Sequence, residues 1–191
     1  MIRRIMDRGM QRIDERGIAT RWLDNVLVHV RDPFSDRVPP GYPFSERVLQ
    51  EKYATQILSP DRMGFDYTYG ERLRSWGSEG IDQVRYVIDK LRSSPNSRRA
   101  VATTWDPRSD TISDEVPCLN HFVFMACDDI VDLSVMIRSN DMYGAWPANV
   151  YALGELLKFV CQETQLTPGS ITTLSVNAHI YEHDWERASE V

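Results

Sequence analysis

Val131-Asp132-Leu133-Ser134-Val135-Met136-Ile137-Arg138-Ser139-Asn140-Asp141 is the stretch on which the fold turns. Val131 to Ile137 has the apolar pattern of a β-strand. Leu119 to Ala126 reads as the strand before it. Two consecutive strands joined by a short turn usually pair. Cys118 follows Pro117 at the mouth of the first strand, so pairing would bring Cys118 close to Arg138. An arginine beside a thiol favours the thiolate, which is the nucleophilic form. Asn149 closes the segment eight residues after Asp141. The chain therefore offers a nucleophile, an anion binder and a planar amide able to read a ring.

The elements outward from this stretch define the class. A long apolar helix is expected from Asn149 to Thr164, with Val150, Leu153, Leu156, Leu157, Val160 and Cys161 marking it as a core helix. Pro168-Gly169 is expected to break the chain before a last strand, Ile171 to Val176, that ends at Asn177-Ala178-His179. Upstream, Ile2 to Gln11 suits a short helix and Leu23 to Val30 a strand. Asp32 to Pro43 is a proline-rich loop. Ser45 caps a helix reaching Leu58. Ile81 to Arg92 is amphipathic, with Ile81, Val84, Val87, Ile88 and Leu91 in one stripe. Arg99 to Trp105 reads as a strand. Asp66 to Arg74 is aromatic and polar and fits no period. Helices and strands mix without a regular βαβα rhythm. The expectation is an α+β fold, with a mixed or antiparallel sheet and a long buried central helix, in one domain spanning 1–191.

Composition narrows the function classes. The net charge is −6, which speaks against a general nucleic-acid binder but leaves room for a local basic pocket. No apolar run approaches the ~20 residues of a membrane span. The N-terminus is charged and lacks an apolar signal core. Cys118, Cys127 and Cys161 form neither a CxxC pair nor an even disulfide set. A reducing, cytoplasmic setting follows as the expectation.

Each candidate residue carries a bland reading beside the functional one. A free cysteine is most often a small buried hydrophobe; Cys161 fits that on the core helix. Cys127 precedes Asp128-Asp129, whose charges disfavour a thiolate. Cys118, at a strand mouth, is the candidate nucleophile. Arg98-Arg99 is either a solvated basic pair or a phosphate clamp suited to guanidinium forks. Arg16, in the turn Asp14-Glu15-Arg16-Gly17, has the same two readings. His179 and Tyr181 lie two apart and face one side of a strand, where they are structural or contact a sugar hydroxyl. No second cluster at zinc spacing accompanies His183 and Asp184, so no metal is expected. Spacing alone does not rank the carboxylates Glu46, Glu51, Glu71 and Glu115.

Taken together these residues resemble the thymidylate synthase family, in a short, archaeal-type form. Asp14-Glu15-Arg16-Gly17-Ile18-Ala19-Thr20 resembles the family's first phosphate-binding turn. Tyr69-Gly70-Glu71-Arg72 resembles its Tyr-Gly segment before a helix. Ser97-Arg98-Arg99 resembles the arginine pair that reaches across a dimer interface. Pro117-Cys118 resembles the nucleophile strand. Arg138-Ser139 with Asp141, Gly144, Pro147 and Asn149 resembles the nucleotide- and folate-contacting stretch. Ala178-His179-Ile180-Tyr181 resembles the deoxyribose-contacting motif. Six motifs stand in family order.

The resemblance implies conversion of deoxyuridine monophosphate (dUMP) to thymidine monophosphate. Cys118 would add to C6 of the ring, and the methylene would come from methylenetetrahydrofolate or a methanopterin-type analogue. Arg16, Arg138, and Arg98 and Arg99 of the partner subunit would grip the phosphate in a homodimer. Ser139 would add a hydroxyl donor, and His179 and Tyr181 would hold the sugar. Asn149 would read uracil, since an amide donates and accepts at once. Asp141 would accept from the pterin, and Glu51 would organise proton transfer. This sequence departs from the family where Leu119 follows the nucleophile, in the tryptophan-bearing insert between Pro60 and Tyr67, and in the longer C-terminal segment that closes over the cofactor. Two alternatives share the architecture: a nucleotide hydroxymethylase and a catalytically silent nucleotide-binding protein.

Overall fold

A computed structural model describes residues 1–191. Helix α1 (Ile2–Arg8) leads into β1 (Met10–Ile13) and β2 (Ala19–Val30). A loop then reaches α2 (Glu46–Val48), a π-helical segment (Leu49–Ala54) and α3 (Thr55–Leu58). Next come α4 (Tyr69–Arg74), α5 (Gln83–Ser93), β3 (Val101–Thr103), β4 (Leu119–Cys127) and β5 (Ile130–Asp141). Helix α6 (Trp146–Thr164), β6 (Thr167–Tyr181), a 3₁₀ turn (Glu182–Asp184) and α7 (Trp185–Ser189) finish the chain.

The six strands form one sheet in the order β1-β2-β6-β5-β4-β3. Every neighbouring pair is antiparallel except β5 with β6. Parallel neighbours need a crossover, and α6 supplies it. The fold is α+β with a mixed sheet, as its sequence implies.

The hairpin β4–β5 forms as expected. Cys127 pairs with Ile130 across a two-residue turn in which Asp128 adopts φ 53°. Aspartate tolerates that left-handed conformation better than most residues. Strand β5 extends four residues past Ile137, so Arg138 to Asp141 lie within it and not after it. The extension is held by β6, where Ser139 pairs with Asn177 and Asp141 with His179.

Four other expectations are corrected. Pro168-Gly169 does not break the chain; both residues lie inside β6. Pro168 pairs with Val131 beside a register shift, where a missing N–H is tolerated. A Cβ on Gly169 would lie 2.4 Å from Asp132 Oδ1 and 2.6 Å from Ile130 Cγ2, so a larger residue there would force those side chains to shift. Helix α5 starts at Gln83 because Asp82 caps it, accepting from the Arg85 N–H at 2.8 Å; Ile81 falls outside the stripe and is 50% exposed. Strand β3 is only three residues long. Its free edge is covered by the Gln83 amide, which donates to Thr103 O (2.7 Å) and accepts from Thr103 N (2.9 Å). The segment that fits no period contains α4, six residues long and capped by Thr68. A helix that short shows no repeat.

A smaller cluster joins Ile5 of α1 and Ala188 of α7 to Ala178 and Ile180 of β6, while the main core lies on one face of the sheet. Leu119, Phe122, Phe124, Leu133, Val135 and Ile137 meet Leu153, Leu156, Leu157 and Val160 of α6 and Val87, Ile88 and Leu91 of α5. The opposite face leaves Leu27, Met125, Met136, Leu174 and Val176 exposed. The loop before α2 is tied to α6 by Arg37. Its guanidinium donates to Glu155 Oε1 at 2.7 Å and to Tyr151 O at 3.0 Å, and stacks 3.6 Å from the Tyr151 ring centroid.

Replacing Glu155 with Ala would leave the Arg37 guanidinium buried without its charge partner. The expected loss is about 3–5 kcal/mol of unfolding free energy, measured by urea denaturation. A loss below about 1 kcal/mol would show that the pair is not what anchors the loop.

Candidate active site

The turn between β1 and β2 and the ends of β2, β5 and β6 enclose a cavity of about 310 Å³. Arg16, Arg138, Ser139, His179 and Tyr181 all line it, together with Asp14, Trp22 and Asn177. Strand register explains the gathering. Trp22 pairs with His179, Thr20 with Tyr181, and Ser139 with Asn177. Five of the predicted residues therefore converge.

The His179 and Tyr181 rings meet edge-on with centroids 4.8 Å apart. His179 Nδ1 lies 2.9 Å from Asn177 Oδ1. An amide oxygen only accepts, so Nδ1 carries the proton and Nε2 the lone pair. That Nε2 is buried and has no partner within the chain. Burial lowers the imidazole pKa, keeping the ring neutral. A buried acceptor with no donor is a site for a ligand hydroxyl.

Cys118 is half-buried and packs against the main core cluster. It does not itself line the arginine cavity. Its position is fixed by Arg138. The Arg138 backbone N–H donates to Cys118 O at 2.9 Å. The guanidinium donates to Pro117 O at 2.9 Å and to Val116 O at 3.0 Å. Tyr67 O–H donates to Val116 O at 3.2 Å from the other side.

The expected pull toward thiolate is overruled. Burial pushes the Cys118 thiol up; Arg138 and Arg16 pull it down, and Glu115 adds to the rise. Desolvation of the anion outweighs the attraction of two guanidinium groups in the free protein.

A second cavity of about 310 Å³ opens beside Tyr67, Tyr69 and Glu115, with Gln56, Phe65, Asp66 and Thr68. A third, of about 530 Å³, shares Gln56 and Phe65 with it and adds Glu51, Lys52, Tyr53 and Met63. Tyr67 is pushed up to about 12, chiefly by burial, and Tyr69 well above the usual phenol range for the same reason. Both phenols feel the Cys118 charge.

The remaining predicted residues sit elsewhere. Glu51 is 62% exposed on the π segment and faces Arg47 at 3.8 Å. It opens on the third cavity, not on the arginine cavity. Asn149 lies in the first turns of α6, half-buried and outside the arginine cavity. Asp141 Oδ1 accepts from the N–H groups of Tyr143 and Gly144, at 3.1 and 3.0 Å, and shapes the turn into α6. Arg98 and Arg99 are exposed before β3, at the sheet edge opposite β1, and do not reach the cavity of their own chain.

Trp22 carries no signal in the sequence and Asn177 reads there only as a strand end; Tyr67 carries none either, and Glu115 stands only among four unranked carboxylates. Only the strand register reveals the first two. The last two border Cys118 because Tyr67 is bonded to the Val116 carbonyl.

Residues 21–191 match the family model described as Thymidylate synthase. The chain belongs to the thymidylate synthase family. A Methanococcoides burtonii protein named "Putative thymidylate synthase" is 43% identical over 188 residues, covering 98% of this chain and 86% of that one. A Methanosarcina mazei protein of the same name matches to the same extent. One from Methanothermobacter marburgensis is 40% identical, covering 100% of this chain and 91% of its own. The relatives come from methanogenic archaea, in keeping with the archaeal-type resemblance. The chain is an enzyme of thymidylate synthase type, and the family implies dUMP and a folate-type co-substrate.

The raised thiol has a direct readout. The iodoacetamide rate at Cys118, followed by peptide mass spectrometry, should climb with pH through a midpoint above that of a free cysteine. Glu115→Gln should lower that midpoint and Arg138→Met should raise it. A wild-type midpoint below a free thiol would refute the balance of burial over charge.

Proposed function

We propose that this chain methylates dUMP to thymidine monophosphate through a covalent bond between Cys118 and C6 of the uracil ring. The observation that carries the reading is one linkage. Arg138 both lines the cavity and ties down the two carbonyls preceding Cys118. A phosphate gripped by Arg16 and Arg138 would thus hold the nucleotide beside the thiol.

The cavity suits the rest of the nucleotide. Ser139 offers a hydroxyl to the phosphate. The free lone pair of His179 Nε2 accepts from a sugar hydroxyl, and Tyr181 can donate to it. Asn149, at the start of α6, reads the uracil O4 and N3–H edge with one amide.

The chemistry then follows from the residues. The Cys118 proton passes to solvent, the sulfur attacks C6, and the C5=C6 electron pair moves to C5 and into its conjugated carbonyl. In the closed site the substrate excludes water, while the guanidinium of Arg138 stays beside the sulfur. C5 forms a bond to the incoming one-carbon unit and later loses its hydrogen as a proton. Two carboxylates open on the adjoining cavities: Glu115 beside the thiol and Glu51 beyond Gln56. The phenols of Tyr67 and Tyr69 stay protonated at neutral pH, and the Tyr67 proton is given to the Val116 carbonyl. The electron pair left by the C5 proton expels the carrier's nitrogen from the one-carbon unit, leaving an exocyclic methylene; hydride added to that carbon returns a pair to C5, which expels the thiolate from C6 and restores the ring double bond.

The carrier has a place that fits it. Phe65, Tyr67, Tyr69, Tyr53 and Met63 line the two adjoining cavities and match a flat heteroaromatic body, and Lys52, which also lines the third cavity, suits an anionic tail. Asp141, whose Oδ1 is committed to the α6 turn, keeps its second oxygen for N–H donors. A methylenetetrahydrofolate or a methanopterin-type analogue supplies the one-carbon unit and the hydride that completes the methyl group.

A homodimer completes the site. The sheet face bearing Leu27, Met136 and Leu174 is an exposed apolar surface, of the kind that marks association. In register, Leu174 adjoins both Leu27 and Met136. A second copy on that face would supply Arg98 and Arg99 of the partner subunit to the phosphate. The expected location is cytoplasmic.

Incubation with dUMP and methylenetetrahydrofolate, then mass analysis of the nucleotide, should show the gain of a methyl group, lost in Cys118→Ser. A hydroxymethyl product would assign the water-quenched reaction instead. Turnover surviving in Cys118→Ser would refute the covalent route. Gln variants of Glu51 and Glu115 separate their roles: the proton acceptor is the one whose loss lowers kcat without raising the KM for dUMP.

A further inference from the structure

The Arg16 guanidinium already has an anion within its own chain. Asp14 Oδ2 accepts from Arg16 Nε at 3.3 Å and from Nη2 at 3.2 Å. Nη2 also donates to the Tyr181 hydroxyl at 2.5 Å. The other oxygen of the same carboxylate builds the turn that carries the arginine. Asp14 Oδ1 accepts from the backbone N–H groups of Arg16 at 3.0 Å and Ile18 at 2.9 Å. Gly17, at φ 80°, closes the turn by donating to Asp14 O at 3.0 Å. One side chain therefore sets the loop and neutralises its cation. These bonds, led by the Ile18 N–H, hold the carboxyl below its usual range, so it is charged at neutral pH.

Arg138 differs. Its guanidinium rests on two carbonyls and on no carboxylate. An anion entering the cavity meets one arginine that is electrostatically free and one that is already paired.

We infer that Asp14 sets the affinity of the cavity for anions: it is an internal counter-ion that the nucleotide's phosphate must displace from Arg16. The inference rests on the nucleotide reading above. Coulomb attraction scales with ligand charge. Repulsion from Asp14 scales the same way, and breaking the Asp14–Arg16 contact costs the same whichever anion enters. Asp14 thereby lowers the affinity of this cavity for every anion and leaves an uncharged ligand unaffected. Glu15 lines the same cavity without bonding to Arg16, which makes it the natural control.

The test uses calorimetric binding of dUMP, inorganic phosphate and deoxyuridine to wild type, Asp14→Asn, Asp14→Ser and Glu15→Gln. Asparagine keeps the Oδ1 acceptor, and serine also supports such a turn. Both variants should bind dUMP roughly two- to fivefold tighter, the range of one exposed ion pair. Phosphate should follow dUMP, and deoxyuridine binding should be unchanged. The gain should shrink as salt rises, and Glu15→Gln should show a smaller one. If wild type binds dUMP while both folded Asp14 variants bind it equally or more weakly, Asp14 is not a competing counter-ion and the inference is overturned. If wild type ignores dUMP, the nucleotide reading itself fails.

Discussion

The grip of Arg138 on the carbonyls of Val116 and Pro117 is the interaction on which the site depends. It joins three things that the chain supplies separately: the end of β5, the irregular approach to β4 and the thiol at the junction. The backbone of Arg138 bonds to Cys118 O, and its side chain spans the two preceding residues. It shares the end of the segment from Asp106 to Pro117 with Tyr67, which donates to Val116 O, and Asn120, which donates to Pro117 O. A guanidinium serves better than an ammonium would, because its planar fork reaches two acceptors at once. It leaves the same cation facing an anion-sized cavity.

The sheet places the remaining groups around that grip. The parallel pairing of β5 and β6 is what sets Ser139 beside Asn177 and Asp141 beside His179. That pairing exists because α6 buries Leu153, Leu156, Leu157 and Val160 against one face and returns the chain in the same direction. The antiparallel pairing of β2 with β6 then carries the Arg16 turn to the same end. Core packing and site geometry are thus one arrangement. The other face of the sheet leaves Leu27, Met136 and Leu174 exposed.

Much of this was legible in the sequence, for identifiable reasons. The β4–β5 hairpin and α6 have strong periods, so they could be read and their contact inferred. His179 and Tyr181 face one way because strand residues alternate. The order of motifs gave the family. What could not be read depended on distant partners. Strand β5 runs through Arg138 to Asp141 only because β6 pairs with it. Pro168-Gly169 looks like a break until the bulge beside Val131 and the close approach of Asp132 are seen. The Cys118 thiol looks activated when only Arg138 is considered; burial, invisible in a local window, reverses the balance. Asp14 reads as a turn former, and nothing in its neighbours announces the ion pair with Arg16.

The account makes sulfur addition to C6 the event from which the rest follows, and that addition leaves a mark without any carrier present. When the thiolate adds, C5 becomes basic and takes a proton from solvent; reversal then returns dUMP with its C5 hydrogen exchanged. Proton NMR of dUMP in D2O with the wild-type protein follows this directly. The account predicts a steady loss of the C5–H signal that stops in Cys118→Ser. An unchanged signal with the wild type, or equal loss with both proteins, would contradict it.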